Sequence, residues 1–334
     1  MSEITKQDWQ SFVVGRDEAN FLQSAAWGEL HESLGYTVVR RGIKSNDGTL
    51  IGGWQGIVKD ARRGRYLEVP GAPLIDWQSK RVVDETYAQL SDVAREYKCV
   101  FVRVRPQLSA TDSNCSILSK AGYKKAPFHL HAEHTNILDL RKTEEEILQG
   151  MRRQTRYEVR RSDKQDIVIE VVTGSAAIEE FYEVQADTAA RQGFVPSTKT
   201  FLLTMAGSLG DNLKVYRATK DGQLLNMAIV LWSGEEADYF EAASTPESRS
   251  FAGAYGLQWK AIRDAKQAGK SRYNFWGIAY SNDPKHRYAG VTTFKRGFGG
   301  EDVTYVPAHD IVISKGRYIK NWIVETVRRK KRRL

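Results

Sequence analysis

The 334-residue sequence holds two cysteines, Cys99 and Cys115. That is too few for a disulfide framework, and they lack the spacing of a metal motif. The most apolar run, Met227 to Trp232, is far too short to cross a bilayer. The opening "MSEITKQDWQ" has no basic region followed by an apolar core, so no secretory signal is read there and a cytoplasmic protein is expected. Neither a G-x-G-x-x-G fingerprint nor a P-loop is present, which removes the usual phosphate cradles of dinucleotides and nucleoside triphosphates. With no G-x-S-x-G, a serine-nucleophile triad has no footing. With no H-E-x-x-H, neither has a zinc hydrolase. The segment "HLHAEH" carries His129, His131 and His134; these read as polar edge-strand histidines, with no metal expected.

What remains is an ordinary soluble composition, 41% hydrophobic and 27% charged, at a length suited to about two domains. The formal net charge is +9, and six of those charges form the tail "RRKKRR" (Arg328 to Arg333), which leaves three for everything else. Such a tail is either a solvated end or a polyanion-seeking one. Tyr318, Trp322, Ile323 and Val327 precede it and line one side of a helix, a pattern that suits a membrane surface better than RNA. A second basic cluster, "MRRQTRYEVRRSDK" (Met151 to Lys164), puts Arg152, Arg156 and Arg160 on one helical face. Like charges four apart repel, so this is either a surface helix with partners elsewhere or a phosphate-facing one; the second is preferred.

The chain also repeats itself. "VVRRGIKSNDGTLIGG" from Val38 resembles "LKVYRATKDGQLLNMA" from Leu213, with Asp47-Gly48 falling on Asp221-Gly222. "YLEVPGAP" (Tyr66 to Pro73) matches "YFEAASTP" (Tyr239 to Pro246), and "AREYKCVFVRV" matches "AKQAGKSRYNFWG". The order and near-constant offset imply two copies of one α/β unit: helix, hairpin, strand, helix, strand. The expected fold is therefore α/β (α+β), two tandem acetyltransferase-like (GNAT-type) domains with mixed, mostly antiparallel sheets. A doubly wound sheet does not fit, because it alternates strands and helices strictly. The domains are placed at 1–145 and 146–314, with a final helix 315–334 packing back on the first. Thr143 and Glu146 form a capping box near the boundary.

The stretch "SRYNFWGIAYSNDPKHRYAGVTTFKRGFGGE" from Ser271 concentrates the chemistry. A strand from Tyr273 to Ile278 ends in Trp276-Gly277, where backbone can approach a ligand. A polar loop suited to a lid follows. "FKRGFGGE" then sets Lys295 and Arg296 between two phenylalanines, displaying one charge on each face of a strand, with glycines beyond against which a phosphate could lie.

This segment resembles the C-terminal signature of the FemABX family, non-ribosomal peptidyltransferases that move amino acids from aminoacyl-tRNA onto peptidoglycan precursors. "TRYEVRRS" (Thr155 to Ser162), "TAARQGF" (Thr188 to Phe194) and "QSAAWGEL" (Gln23 to Leu30) resemble three further family elements. The tandem acetyltransferase-like domains of that family agree with the internal repeat. The chain has no coiled-coil arm and resembles the compact members. The resemblance implies Lys295 as the electrostatic catalyst against the acyl-tRNA end. It also implies substrate or tRNA contacts from Phe294, Arg296, Arg191, Trp276, Gly277, Arg156 and Tyr239. No cofactor is implied beyond aminoacyl-tRNA as co-substrate, because the aminoacyl ester is already activated. The partners are aminoacyl-tRNA and a precursor, either lipid II or the soluble UDP-linked pentapeptide, with peripheral membrane contact through the basic tail. Asn274, Glu241, His31 and Arg105 depart from the family pattern and favour lipid II. Two rival readings stand beside it: an acyl-CoA-dependent N-acyltransferase using the turn "SRSFAGAYG" for pyrophosphate, and a non-catalytic RNA- or membrane-binding protein.

Overall fold

The computed structural model describes residues 2–62 and 64–332. The chain divides into two compact units, one of 1–133 with 304–334 and one of 134–303. The first unit opens with β1 (Ser2–Glu3), α1 (Lys6–Val14) and α2 (Ala25–Ser33). It continues with β2 (Thr37–Lys44), β3 (Leu50–Ala61), β4 (Gly64–Gly71), α3 (Lys80–Glu96), β5 (Phe101–Pro106), α4 (Asp112–Lys120) and β6 (Lys124–Lys125). The second comprises β7 (His134–Asp139), α5 (Glu144–Gly150), α6 (Arg153–Lys164), β8 (Val168–Val172), α7 (Gly174–Gln192) and α8 (Lys199–Leu209). After these come β9 (Leu213–Lys220), β10 (Gln223–Ser233), β11 (Glu236–Ser244), α9 (Gly253–Gln267), β12 (Arg272–Gly277), α10 (Ala289–Gly297) and β13 (Glu301–Thr304). The chain then returns to the first unit as β14 (His309–Val312) and α11 (Lys315–Arg332).

The boundary lies at 133/134 rather than 145/146, because β7 pairs antiparallel with β12. The first unit reclaims β14 as well as α11, since β14 lies between β5 and β6. The sheet orders are β1-β2-β3-β4-β5-β14-β6 and β8-β9-β10-β11-β12-β7-β13. They match position for position, so the internal repeat is a repeat of structure. Both hairpins turn at the expected Asp-Gly pairs, with Gly48 at φ 89° and Gly222 at φ 78°, where glycine carries no Cβ penalty. Each unit has a parallel pair joined through a crossover helix, β4–α3–β5 and β11–α9–β12.

In the first unit one sheet face is apolar and packs on α3 through Trp54, Val58, Leu67, Val69, Val102 and Ile311. The other face carries a ladder of charge. Glu68 pairs in register with Arg103, and Arg103 with Asp310, all three at most 8% exposed. Arg103 makes a two-pronged contact with Asp310, at 2.8 Å on each oxygen, and reaches Glu325 of α11 at 2.9 Å. His131 bonds Glu68 at 2.8 Å. His129 and His131 lie on a loop, with His129 toward Glu133 at 3.7 Å, and only His134 enters a strand. The expected edge strand is replaced by a loop in which Glu68 and Glu133 supply the imidazoles with partners.

The second core gathers Tyr216, Tyr273, Phe275, Phe298, Val230 and Leu257 between the sheet and α6 and α9. The capping box of α5 is present, Thr143 Oγ1 accepting from Glu146 N and the Glu146 carboxylate accepting from Thr143 N. Among the described residues no helix is long and apolar enough to cross a membrane.

Candidate active site

The two parallel pairs differ. In the first unit β4 and β5 stay in register from Leu67–Gly71 to Val102–Pro106. In the second, β11 and β12 pair only from Glu236–Asp238 to Arg272–Asn274, although β11 runs on to Ser244. Beyond Asp238 the strands part. Tyr239 is the first residue past the split on β11, and Trp276-Gly277 end β12 opposite.

Where the strands part both backbones are irregular: β11 shifts register against β10 between Tyr239 and Glu241, and β12 turns at Trp276. Trp276 adopts a left-handed backbone, φ 58°, which a bulky residue holds only when its surroundings demand it. Asn274 supplies that demand. Its Oδ1 accepts from Trp276 N at 2.8 Å and from the Thr135 hydroxyl, while its Nδ2 donates to Glu236 at 3.0 Å. An aspartate here could not donate to Glu236, so the asparagine is matched to its buried acidic neighbour.

Lys295 occupies the gap. Its Nζ donates to the Gly277 carbonyl at 2.8 Å and lies 5.6 Å from the centre of the Tyr239 ring, so one cation touches both parted strands. The residue is 8% exposed, and among the described residues no carboxylate lies within ion-pairing distance. A carbonyl and an aromatic face attract a cation weakly compared with an acid. Burial therefore dominates and lowers the lysine pKa to about 7. Burial likewise pushes the Tyr239 phenol well above its ordinary range.

Lys295 stands on a helix, not on a strand face. Phe294 and Phe298 lie four apart on α10 and its end, and both pack on Tyr255, at 5.1 and 6.0 Å, so aromatic packing fixes the helix and turns Lys295 inward. Arg296 points the other way. Its guanidinium holds Asp302, at 2.6 Å from Nη2, and Asn282 of the polar loop at 2.7 Å. The loop is further tied by Ala279 N donating to Thr292 Oγ1 at 2.8 Å. The glycines that follow are filled by protein rather than left open for phosphate. A Cβ on Gly297 would lie 2.4 Å from Thr155 Oγ1, and one on Gly300 would lie 2.6 Å from the Ile137 carbonyl oxygen.

The remaining candidates have protein partners of their own. Arg156 donates to the Gln149 and Met151 carbonyls at 2.7 and 2.6 Å, closing the C-terminus of α5. Arg161 pairs with Glu158 and reaches the Ser250 carbonyl at 3.0 Å. Arg156 and Arg161 are thus held by protein partners, which corrects the expectation that Arg156 faces a phosphate. Arg191, in the last turn of α7, bonds Thr188 and the Ser244 carbonyl. Glu241 accepts from Gln185 and Ser197 at 2.5 Å each, and burial raises its carboxyl pKa. The "SRSFAGAYG" turn does not offer a pyrophosphate cradle. Ala252 N is capped by Gln165 at 2.8 Å, and Gly256 packs on Ser162. No group of three or more His, Cys, Asp or Glu among the described residues is placed to hold a metal ion. The sequence marks Asn274 only as a departure from the family pattern and Gly277 only as a point of close backbone approach; their roles as organiser and as the lysine's partner are seen in the structure alone.

The model of the FemAB family matches residues 4–223 and 211–324. The chain belongs to the FemAB family. The aminoacyltransferase FemA of Staphylococcus aureus is 20% identical over 91% of this chain and 93% of its own length. FemA of Staphylococcus epidermidis is 21% identical over 95% and 97%. A crystal structure of FemX superposes with a TM-score of 0.87 at 17% identity, covering 97% of this chain and 99% of that one. A tandem GNAT protein from the clavulanic acid pathway gives a TM-score of 0.56 at 13% identity, covering 92% and 95%. The tandem acetyltransferase-like architecture expected from the repeat is that of this FemAB chain, and the family is one of transferases.

Proposed function

We propose that this FemAB-family chain moves an aminoacyl group from aminoacyl-tRNA to an amine on the stem peptide of a peptidoglycan precursor, lipid II at the inner membrane face being preferred over the UDP-linked form. The observation that carries the reading is Lys295, a buried cation with no acid partner among the described residues, bridging β11 and β12 where they part.

The acceptor amine attacks the ester carbonyl, and the new C–N bond forms as negative charge gathers on the carbonyl oxygen. Lys295 faces that oxygen with fixed positive charge, a contact stronger in the transition state than in the substrate. The C–O bond to the ribose then breaks, and the proton lost by the amine passes to the departing ribose oxygen. A lysine pKa near 7 suits this task, since an adjacent oxyanion draws the proton back onto Nζ. The ester is already activated, so neither a nucleophilic side chain nor a cofactor takes part. The Trp276-Gly277 turn and the Tyr239 ring line the site. Arg296 acts by holding the loop, through Asn282, beside it.

The test is transfer of label from total tRNA charged with a labelled amino-acid mixture to lipid II or to the UDP-linked precursor, offered separately. Label in one acceptor, lost with Lys295→Ala and after RNase treatment, is the expected result. Label that survives RNase, or that requires acyl-CoA, would replace the donor named here.

A further inference from the structure

Helix α11 is docked the wrong way round for an amphipathic helix. A surface helix ordinarily buries its apolar stripe, but here the inward residues are polar. Tyr318 donates to Asp310 at 2.9 Å, Glu325 accepts from Arg103 at 2.9 Å, and Asn321 is 6% exposed. The apolar residues face out: Ile319 is 56% exposed, Trp322 44%, Ile323 51% and Val327 47%. Their spacing of three and four residues places them on one stripe. Tyr318, expected on that stripe, instead turns inward, edge-on to Phe101 at 5.7 Å.

The charge around the stripe has one sign. Lys315, Arg317, Lys320 and Arg328 are exposed, and the one acid of the helix, Glu325, is turned in against Arg103. We propose that this outward face lies in the interface of an anionic lipid bilayer, the aliphatic and indole side chains among acyl chains and the basic residues at the headgroups. Both halves of the surface find partners there. A nucleic acid would satisfy the charges and leave Ile319, Ile323 and Val327 in water. A second copy of the chain would cover the apolar stripe while bringing like charges together. The sequence RRKKRR continues the basic end, its last residues lying outside the described ones. The proposal is independent of the transfer reaction, because binding is measured with no substrate present.

The experiment is sedimentation of the full chain with vesicles of phosphatidylcholine alone or of equimolar phosphatidylcholine and phosphatidylglycerol. It is paired with the surface variant Ile319→Gln/Trp322→Gln/Ile323→Gln, whose melting curve should match the parent. Binding to anionic vesicles only, weakened at least about tenfold by the triple variant, is expected. Quenching of tryptophan fluorescence by brominated acyl chains should also be lost in Trp322→Phe. Undiminished binding by the triple variant would reduce the contact to charge alone and overturn the proposal. So would absence of vesicle binding, a dimer by light scattering that the triple variant dissolves, or tRNA binding that the triple variant abolishes.

Discussion

Lys295 is costly to fold and useful once folded. Its pKa falls from the ordinary lysine value to about 7, so between those two values the unfolded chain holds a proton that the folded one has released. Stability contributed at this site therefore rises with pH above about 7 and is lowest below it. Lys295→Met removes the penalty and keeps the volume. At pH 7 it should melt at or above the parent temperature, with a flatter dependence of stability on pH, while kcat/KM falls about 10²- to 10³-fold. The ratio of parent to variant kcat/KM should itself decline as pH rises through about 7, a comparison in which ionisation of the acceptor amine cancels. A variant that loses stability along with activity would place Lys295 in the framework rather than the chemistry.

Local elements were the legible part of the sequence. Asp47-Gly48 and Asp221-Gly222 each fix a hairpin within a few residues, and Thr143 with Glu146 fixes a helix start. Such signals need no distant partner. The end of α10 was not legible, because "VTTFKRGF" is rich in strand-favouring residues. Its helix is imposed by Tyr255 and Phe275, which sequence does not place beside Phe294 and Phe298. The same holds for Arg156, whose partners are backbone carbonyls of another helix. The glycines of this region separate two effects. Gly300, at φ 85° with the Ile137 carbonyl where a Cβ would go, should lose more than about 1 kcal/mol as Gly300→Ala. Gly290, helical and with nothing within 4 Å, should gain about 0.5–1 kcal/mol as Gly290→Ala. Urea denaturation of the two variants gives both values.

Across the whole chain, the two copies of one plan have diverged where their parallel strands meet. In the first unit β4 and β5 remain paired through Pro106, and the charges on that face are matched by protein partners, Arg103 by Asp310 and Glu325 and Glu68 by His131. In the second the strands open and Lys295 stands in the opening. The repeat was visible in sequence because its hairpins are; the divergence was not, since it accompanies a register shift in β11 and a left-handed tryptophan held by one asparagine. Arg103 ties the ladder to α11. Arg103→Met would leave Asp310 buried without a cation, and a loss of about 3–5 kcal/mol is expected in chemical denaturation.

The return of the chain to the first unit also sets an order of events on the ribosome. Residues 134–303 form a contiguous unit that can close as soon as they have emerged. The first unit, though made first, lacks β14 and the Asp310 and Glu325 carboxylates that neutralise Arg103 until residues 304–325 have emerged as well. Synthesis order and folding order are therefore reversed. A released chain truncated after Val303 should present a protease-resistant second unit and a first unit still open to cleavage, so loss of β14 and α11 disables the earliest part of the protein.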